Sequence, residues 1–300
     1  MEQIRGDSMK TIALDIGGTS IKAGEVVDGV LLSPAEYDTD AKQGGEYVMR
    51  RAMDIISQFS GFDTIGISTA GQVDSQQGCI RFANENIPGY TGMRVKDIME
   101  KKFGVPVAVE NDVNSAAIGE AHYGAGKGLN DFLCLTYGTG IGGAIVINRQ
   151  IYSGSTFSAA EFGHLITHAQ GRACNCGLHG CYERYASTGA LVRAATELDP
   201  ALSSGRKIFE HINEPQVQAV IDDWIQEIIF GLTSLIHIFN PSCVIVGGGI
   251  MNETYIINKL QSSIYSNIMP SYANVVIKQA QLGNHAGLLG VSCLASQLSL

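Results

Sequence analysis

The chain has 300 residues, 45% hydrophobic and 16% charged, which describes an ordered globular protein with ample core for one large or two medium domains. Twenty basic against 29 acidic residues give a net charge of −9, and without a long basic run a nucleic-acid face has no electrostatic support. The 36 glycines cluster in loops with no fixed period, which excludes a collagen-like or disordered chain, and no apolar run approaches bilayer-spanning length.

Met1 to Ser8 contain no apolar segment of the kind a secretory signal needs. Residues 11–14 read as a buried strand that delivers Asp15 to a loop, Asp15-Ile-Gly17-Gly18-Thr19. Residues 20–27 lack a helical stripe and read as a second strand. A dinucleotide-binding loop or a P-loop opens into a helix. Here glycines turn a hairpin, whose backbone N–H groups can face a phosphate while Asp15 faces its magnesium. A plain tight hairpin is the other reading.

Residues 44–59 form a predicted helix with Tyr47, Ala52, Ile55, Ile56 and Phe59 on its buried side. A short strand at 64–68 ends in Thr69-Ala70-Gly71-Gln72-Val73-Asp74. A loop at 86–90 precedes a helix at 95–103, and a strand at 105–109 runs into Glu110-Asn111-Asp112. A helix of small residues begins at Asn114. Asp112 therefore lies at a strand's carboxyl end, where open α/β sheets place their ligands. The competing role for Asp112 or Asn114 is to cap that helix. Asn111 beside it has both a donor and an acceptor for a polyol.

Residues 131–135 form the next strand and lead to Tyr137-Gly138-Thr139-Gly140-Ile141-Gly142-Gly143, followed by a strand at 144–147. That repeats the order strand, glycine loop, strand seen at 11–27. Two such hairpins suggest two related half-domains, each presenting one backbone nest. Farther on come a helix at 190–198, a polar stretch at 200–215, and the strongest helix of the chain at 217–239. Its apolar stripe is Ile221, Trp224, Ile225, Ile228, Leu232, Leu235, Ile236 and Phe239, and Asn240-Pro241 ends it. A strand at 243–246 opens into a third glycine loop, Gly247-Gly248-Gly249, bare enough for a planar base to lie against backbone. A strand at 275–277 and a small-residue helix at 285–295 close the chain.

Between these elements lies the segment Glu161-Phe162-Gly163-His164, nine residues, then Cys174-x-Cys176-Gly-x-x-Gly-Cys181-x-Glu183. Three cysteines and a histidine are what a tetrahedral zinc site selects, and Gly177 and Gly180 allow the turn that points Cys176 and Cys181 inward. A redox pair needs only two thiols and leaves His164 unexplained. His168 and His179 are rival fourth ligands. Glu161 and Glu183 bracket the ligands, so folding around the ion fixes both in space. The remaining cysteines, Cys79, Cys134, Cys243 and Cys293, sit mostly in apolar surroundings, as buried free thiols of a reducing compartment do, and a cytoplasmic location is expected.

Together these motifs resemble the ROK family (repressors, open reading frames and sugar kinases), over residues 10 to 296. The Asp15-Ile-Gly17-Gly18-Thr19 loop resembles its first phosphate motif, and Gly138-Thr139-Gly140-Ile141-Gly142-Gly143 its second. The segment Glu110 to Asn114 resembles the part of the family that holds the catalytic aspartate. Glu161-x-Gly-His164 and the cysteine segment ending at Glu183 resemble its sugar and zinc signature. The resemblance implies an α/β, actin-like (ribonuclease H-like) ATPase fold, two similar domains flanking a cleft. They are expected at 9–113 and 114–300, with the last helix able to pack back on the first domain.

It further implies an ATP-dependent sugar kinase that transfers the γ-phosphoryl group to a hexose hydroxyl, O6, of glucose, N-acetylmannosamine or a β-glucoside. Asp112 is then the base. Gly71, Asn111, Asp112, Glu161, His164 and Glu183 bind the sugar. Asp15, Gly17, Gly18, Thr19, Gly138, Thr139, Gly140, Gly142 and Gly247 to Gly249 bind ATP and Mg2+. His164, Cys174, Cys176 and Cys181 hold a structural Zn2+. Tyr90 and Ala144 depart from the family's frequent tryptophan and glycine. The alternative is a sugar-sensing transcriptional regulator; family regulators carry a winged helix before the first glycine loop, and here fourteen residues precede Asp15. The expected partners are a sugar and ATP, with no nucleic acid and no membrane, in a homodimer.

Overall fold

A computed structural model describes residues 9–299; the expectation for Met1 to Ser8 lies outside the described residues. The chain divides into two compact units, residues 9–127 with 153–159 and 284–299, and residues 128–152 with 160–283.

In the first unit β1 (Lys10–Ile16), β2 (Ser20–Val27) and β3 (Val30–Asp38) form an antiparallel meander. Strand β1 also pairs in parallel with β4 (Thr64–Thr69). A hairpin of β5 (Gln72–Asp74) and β6 (Cys79–Phe82) stands apart, and β7 (Val107–Asn111) pairs in parallel with β4, giving the sheet order β3-β2-β1-β4-β7. Every residue of β4 is buried, as a central parallel strand covered on both faces must be. Three strands escape the sequence reading here. β3 is a largely exposed edge interrupted by Pro34, and β5 and β6 have only three and four residues, too few to show a period.

Helix α1 (Gly45–Ile56) buries Ala52, Ile55 and Ile56 as expected, together with Val48 and Met49; Tyr47 is only half-buried, and Phe59 lies past the helix end, where it packs on the same core. Helix α2 (Val95–Phe103) ends at Gly104, whose φ of +70° is the left-handed terminator glycine supplies cheaply. Helix α3 (Asp112–Tyr123) packs on the C-terminal helix Ala286–Ser296 at backbone distance. A Cβ on Gly119 would overlap the Ala286 carbonyl oxygen, and one on Gly290 would overlap that of Ser115. This close packing keeps residues 114–127 with the first unit, whereas the sequence reading divided the chain between 113 and 114.

The second unit repeats the plan. β8 (Phe132–Tyr137), β9 (Ile141–Ile147) and the short β10 (Gln150–Ile151) form a meander. β8 pairs in parallel with β11 (Cys243–Gly247), and β11 with β12 (Val276–Gln279), in the order β10-β9-β8-β11-β12. Two sheets with the same strand order and directions are the duplicated ribonuclease H-like arrangement of the actin-like ATPase fold.

Helices α4 (Glu183–Ala186), α5 (Thr188–Leu198), α6 (Gly205–Glu210), α7 (Pro215–Phe239) and α8 (Thr254–Ser263) complete the unit. Helix α6 lies in the stretch expected to be only polar; it is six residues long and held by a Ser204 cap. The stripe of α7 is buried as expected except at its end, where Phe239 is 36% exposed and rests against the Phe162 ring. Among the described residues no helix is long and apolar enough to cross a membrane.

Candidate active site and metal centre

In the first unit the candidate groups gather at the carboxyl ends of β1, β4 and β7. Asp15 is a strand residue, not a loop residue: it pairs with Ser68 of β4 and Lys22 of β2. Its Oδ1 accepts a hydrogen bond from Ser68 Oγ at 2.7 Å. Burial pushes the Asp15 carboxyl up in pKa, against the Ser68 bond and the Lys22 charge. The hairpin after it leaves Gly18 and Thr19 exposed, closed beneath by Gly17 N–H donating to Ser20 O and by Thr39 Oγ1 donating to Gly17 O.

At the end of β7, Asn111 caps α3: its Oδ1 accepts from Val113 N at 2.9 Å and Asn114 N at 3.1 Å. Its Nδ2 donates to Gly71 O at 2.9 Å and to Asp112 Oδ1 at 2.8 Å. An amide has two acceptor and two donor positions, so the Asn111 side chain is fully engaged, and it reaches a polyol only by giving up one of these bonds. The cap expected of Asp112 or Asn114 therefore belongs to Asn111. Asp112 is half-buried; Oδ1 also accepts from Val113 N, while Oδ2 makes no hydrogen bond among the described residues. Burial and, secondly, the Asp15 charge push the Asp112 pKa up to about 7. The result is a carboxylate anchored at one oxygen, open at the other, and balanced between protonation states near neutrality.

Gly71 has φ +102°, and a Cβ there would lie 2.9 Å from Phe82 O, so both the turn and its surroundings require glycine. Tyr90, one of the two departures from the family's frequent residues, is fully buried in the first unit's core. Its hydroxyl pairs with Thr69 Oγ1 at 3.0 Å, and burial raises its pKa to about 12. Its influence on any pocket passes through the end of β4. Ala144 is likewise buried, in β9.

In the second unit the β8–β9 turn exposes Gly138 and Thr139, with Gly138 N donating to Gly140 O at 3.0 Å. Gly142 was expected in this loop; it lies in β9, paired with Thr136, because the turn closes at residue 140. Gly247 similarly ends β11, and the exposed third turn consists of Gly248 and Gly249. Gly248 has φ +105°, and a Cβ on it would overlap the Tyr137 carbonyl oxygen. Nothing lies within 4 Å of where Cβ atoms on Gly138 or Gly249 would be. The turn at 138–140 is braced by Thr188 Oγ1, which donates to Tyr137 O at 3.0 Å, and by Gly189 N, which donates to Gly138 O. Sequence reasoning missed Ser68, Thr39 and Thr188, because each acts through strand register or a distant contact.

The segment 161–183 converges as its composition suggested. His164, Cys174, Cys176 and Cys181 bring one donor atom each to within 4.8 Å of all the others. Cys174 Sγ is 3.8 Å from His164 Nδ1, and Cys176 Sγ is 3.5 Å from Cys181 Sγ. A tetrahedron with Zn–S of about 2.3 Å has S···S edges of about 3.8 Å, so a zinc ion fits this donor set. Gly177 and Gly180, at φ +87° and +83°, make the turn between the thiols.

Neither rival histidine takes part: His179 is exposed, while the His168 ring stacks on Tyr185 and its Nε2 is 3.4 Å from Glu227 Oε1. Glu161 is exposed at the start of the turn Phe162–His164. Glu183 opens α4; Oε1 accepts from Cys174 Sγ at 3.3 Å, and Oε2 lies 2.5 Å from the place of a Cβ on Gly140. Glu183 therefore touches both the thiol cluster and the glycine turn.

A protein-family model, that of the ROK family, matches residues 11–298. A glucokinase of Streptomyces coelicolor is 35% identical over 321 residues, covering 96% of this chain and 98% of that protein. Among solved structures, a ROK family glucokinase from Streptomyces griseus in complex with glucose and AMPPNP is 34% identical, with 96% of this chain and 99% of that chain covered at a TM-score of 0.84. A ROK hexokinase from Thermus thermophilus is also 34% identical, with 97% and 99% covered at a TM-score of 0.83.

Proposed function

This chain belongs to the ROK family, and from that premise we propose that it transfers the γ-phosphoryl group of ATP to a hexose hydroxyl, O6. The observation that supports the reading most is Asp112, a carboxylate with one oxygen held by Val113 N and Asn111 Nδ2, the other open, and a pKa near 7. Phosphoryl transfer needs little covalent help from protein; it needs positioning, charge neutralisation and an acceptor for the hydroxyl proton.

In this reading Asp112 Oδ2 takes the proton of O6 as the oxygen attacks. Asn111 holds Asp112 in place and, with the Gly71 turn, shapes the sugar's surroundings. Glu161, His164 and Glu183 hold other sugar hydroxyls. The turns at Gly17, Gly18 and Thr19 and at Gly138, Thr139 and Gly140 would cradle phosphate oxygens, the N–H groups of Gly17 and Gly138 closing the turns and the others facing the phosphates, and Gly247, Gly248 and Gly249 accommodate the base. Asp15 would hold Mg2+ through water: its raised pKa and the Asp112 carboxylate nearby make a place where a hard cation relieves unfavourable charge. Bound there, the ion supplies neutralisation of phosphate charge. The four-donor cluster would hold Zn2+ in a structural role, as no ligand position is left open. The free thiols suit a cytoplasmic protein.

A coupled ATP-consumption assay over hexoses, hexosamines and β-glucosides tests the proposal. Sugar-stimulated turnover is expected on glucose, N-acetylmannosamine or a β-glucoside, and the 6-deoxy analogue of the accepted sugar is expected to be inert. Absence of sugar-stimulated ATP consumption across the panel refutes it.

A further inference from the structure

Two tyrosines that no catalytic role uses meet in the core of the second unit. Tyr137 is the last residue of β8, directly before Gly138. Tyr182 stands between the thiol ligand Cys181 and Glu183. Both are fully buried, their rings meet edge to face, and their hydroxyl oxygens are 2.9 Å apart. Tyr182 Oη also donates to Ile228 O of α7 at 2.9 Å. A phenol has a single hydrogen, so Tyr182 spends its own on Ile228 O and must accept from Tyr137. Helix α7 makes room for this at Gly231, where a Cβ would overlap the Tyr182 ring. The chain from Tyr137 to Tyr182 to Ile228 is therefore directional, buried and seated in a fitted hole.

Its two ends belong to different parts of the candidate site. On one side Tyr137 fixes the start of the turn at 138–140; on the other Tyr182 fixes Glu183, whose carboxylate lies over Gly140. Just beyond Glu183, Thr188 and Gly189 add bonds from α5 to the same turn.

We propose that the Tyr137–Tyr182 hydroxyl pair is a positioning device that locks the phosphate turn to the metal-bearing segment and Glu183, so that a change on one side is felt on the other. The proposal rests on the kinase reading for the identity of the nucleotide turn. Tyr182→Phe leaves the Tyr137 O–H buried without an acceptor, whereas Tyr137→Phe keeps the bond to Ile228 O. Tyr182→Phe is thus the harsher variant and Tyr137→Phe the one that retains the fold.

The test uses crossed readouts on the full metal-loaded chain: ADP affinity by calorimetry, metal release to a chromogenic chelator, and thermal midpoint. Tyr182→Phe, although it touches no nucleotide turn, is expected to weaken ADP binding on the order of tenfold. Tyr137→Phe, although it touches no ligand, is expected to speed metal release several-fold. The double variant should be little worse than the worse single one. Lower midpoints with unchanged ADP affinity and metal release overturn the proposal, as does a wild-type chain that fails to bind ADP. ADP binding without sugar-stimulated ATP consumption sinks the kinase reading and leaves the pair standing.

Discussion

Replacing Asp112 by Asn separates chemistry from stability. The side chain keeps its shape: an amide oxygen accepts from Val113 N and Asn111 Nδ2 as Oδ1 does. What changes is the other atom, which becomes a donor unable to take a proton, so turnover should fall by roughly two to four orders of magnitude. Helix α3 should not suffer, because its cap is Asn111. Stability should move the opposite way to activity. The folded carboxyl has a pKa near 7 against an ordinary 3.8, so between those values the unfolded chain has shed a proton that the folded chain retains. Stability from this group is therefore lost as pH rises through that window, and above pH 7 the full penalty applies. At about 1.4 kcal/mol per pKa unit its ceiling is roughly 4 kcal/mol, less whatever solvent reaching the half-buried carboxyl relieves. The neutral amide escapes it. Thermal melts at pH 8 should show Asp112→Asn several degrees above the wild type, with the gap narrowing as pH falls and closing near pH 4. Near-normal turnover would falsify the catalytic role, and a lower midpoint at pH 8 would refute the electrostatic argument.

The same carboxylate sets the pH profile: kcat/KM should rise with pH and level off around an apparent pKa of about 7, and a flat profile from pH 5.5 to 8.5 counts against Asp112 as base. Cys176→Ser should lose one metal ion per chain by elemental analysis and lower the thermal midpoint; retention of both dismisses the four-donor site. Gly248→Ala forces a side chain into left-handed backbone and onto Tyr137 O, so a loss of roughly 1–3 kcal/mol and weaker nucleotide binding are expected in denaturant titrations and calorimetry. Gly231→Ala inverts the usual rule, since alanine normally steadies a helix by about 1 kcal/mol but here collides with Tyr182; a stabilised variant would refute the fitted hole.

Much of this was legible in the chain because the signals were local. The strand–glycine–strand pattern located both hairpins, the spacing of three cysteines and His164 located the donor cluster, and the apolar stripe of α7 located its buried face. What stayed hidden depended on partners distant in sequence. Ser68 reaches Asp15 only through the pairing of β4 with β1, and residues 114–127 join the first unit only because Gly119 and Gly290 let α3 approach the C-terminal helix. The donor capacity of Asn111 looked available in sequence; in the fold the Gly71 carbonyl and Asp112 consume it.

The candidate groups of the two units obtain their geometry in different ways. In the first unit Asp15 lies within a ladder and Asp112 at the first turn of a capped helix, so regular hydrogen bonding sets their positions. The segment 161–183 has no such frame: one short turn at Phe162–His164, two isolated bridges, and α4 of only four residues. Residues so loosely scaffolded would lose conformational entropy on meeting a ligand, which offsets part of what the contacts return. An ion held by the four donors would close that loop before any ligand arrives, and the Tyr182 ring seated beside Gly231 ties the loop to α7. On this argument the metal's contribution is preorganisation of Glu161 and Glu183, so stripping it should raise KM for the sugar far more than it alters KM for ATP. A chelator-treated chain with the two KM values shifted equally would show that the ion serves the whole unit instead.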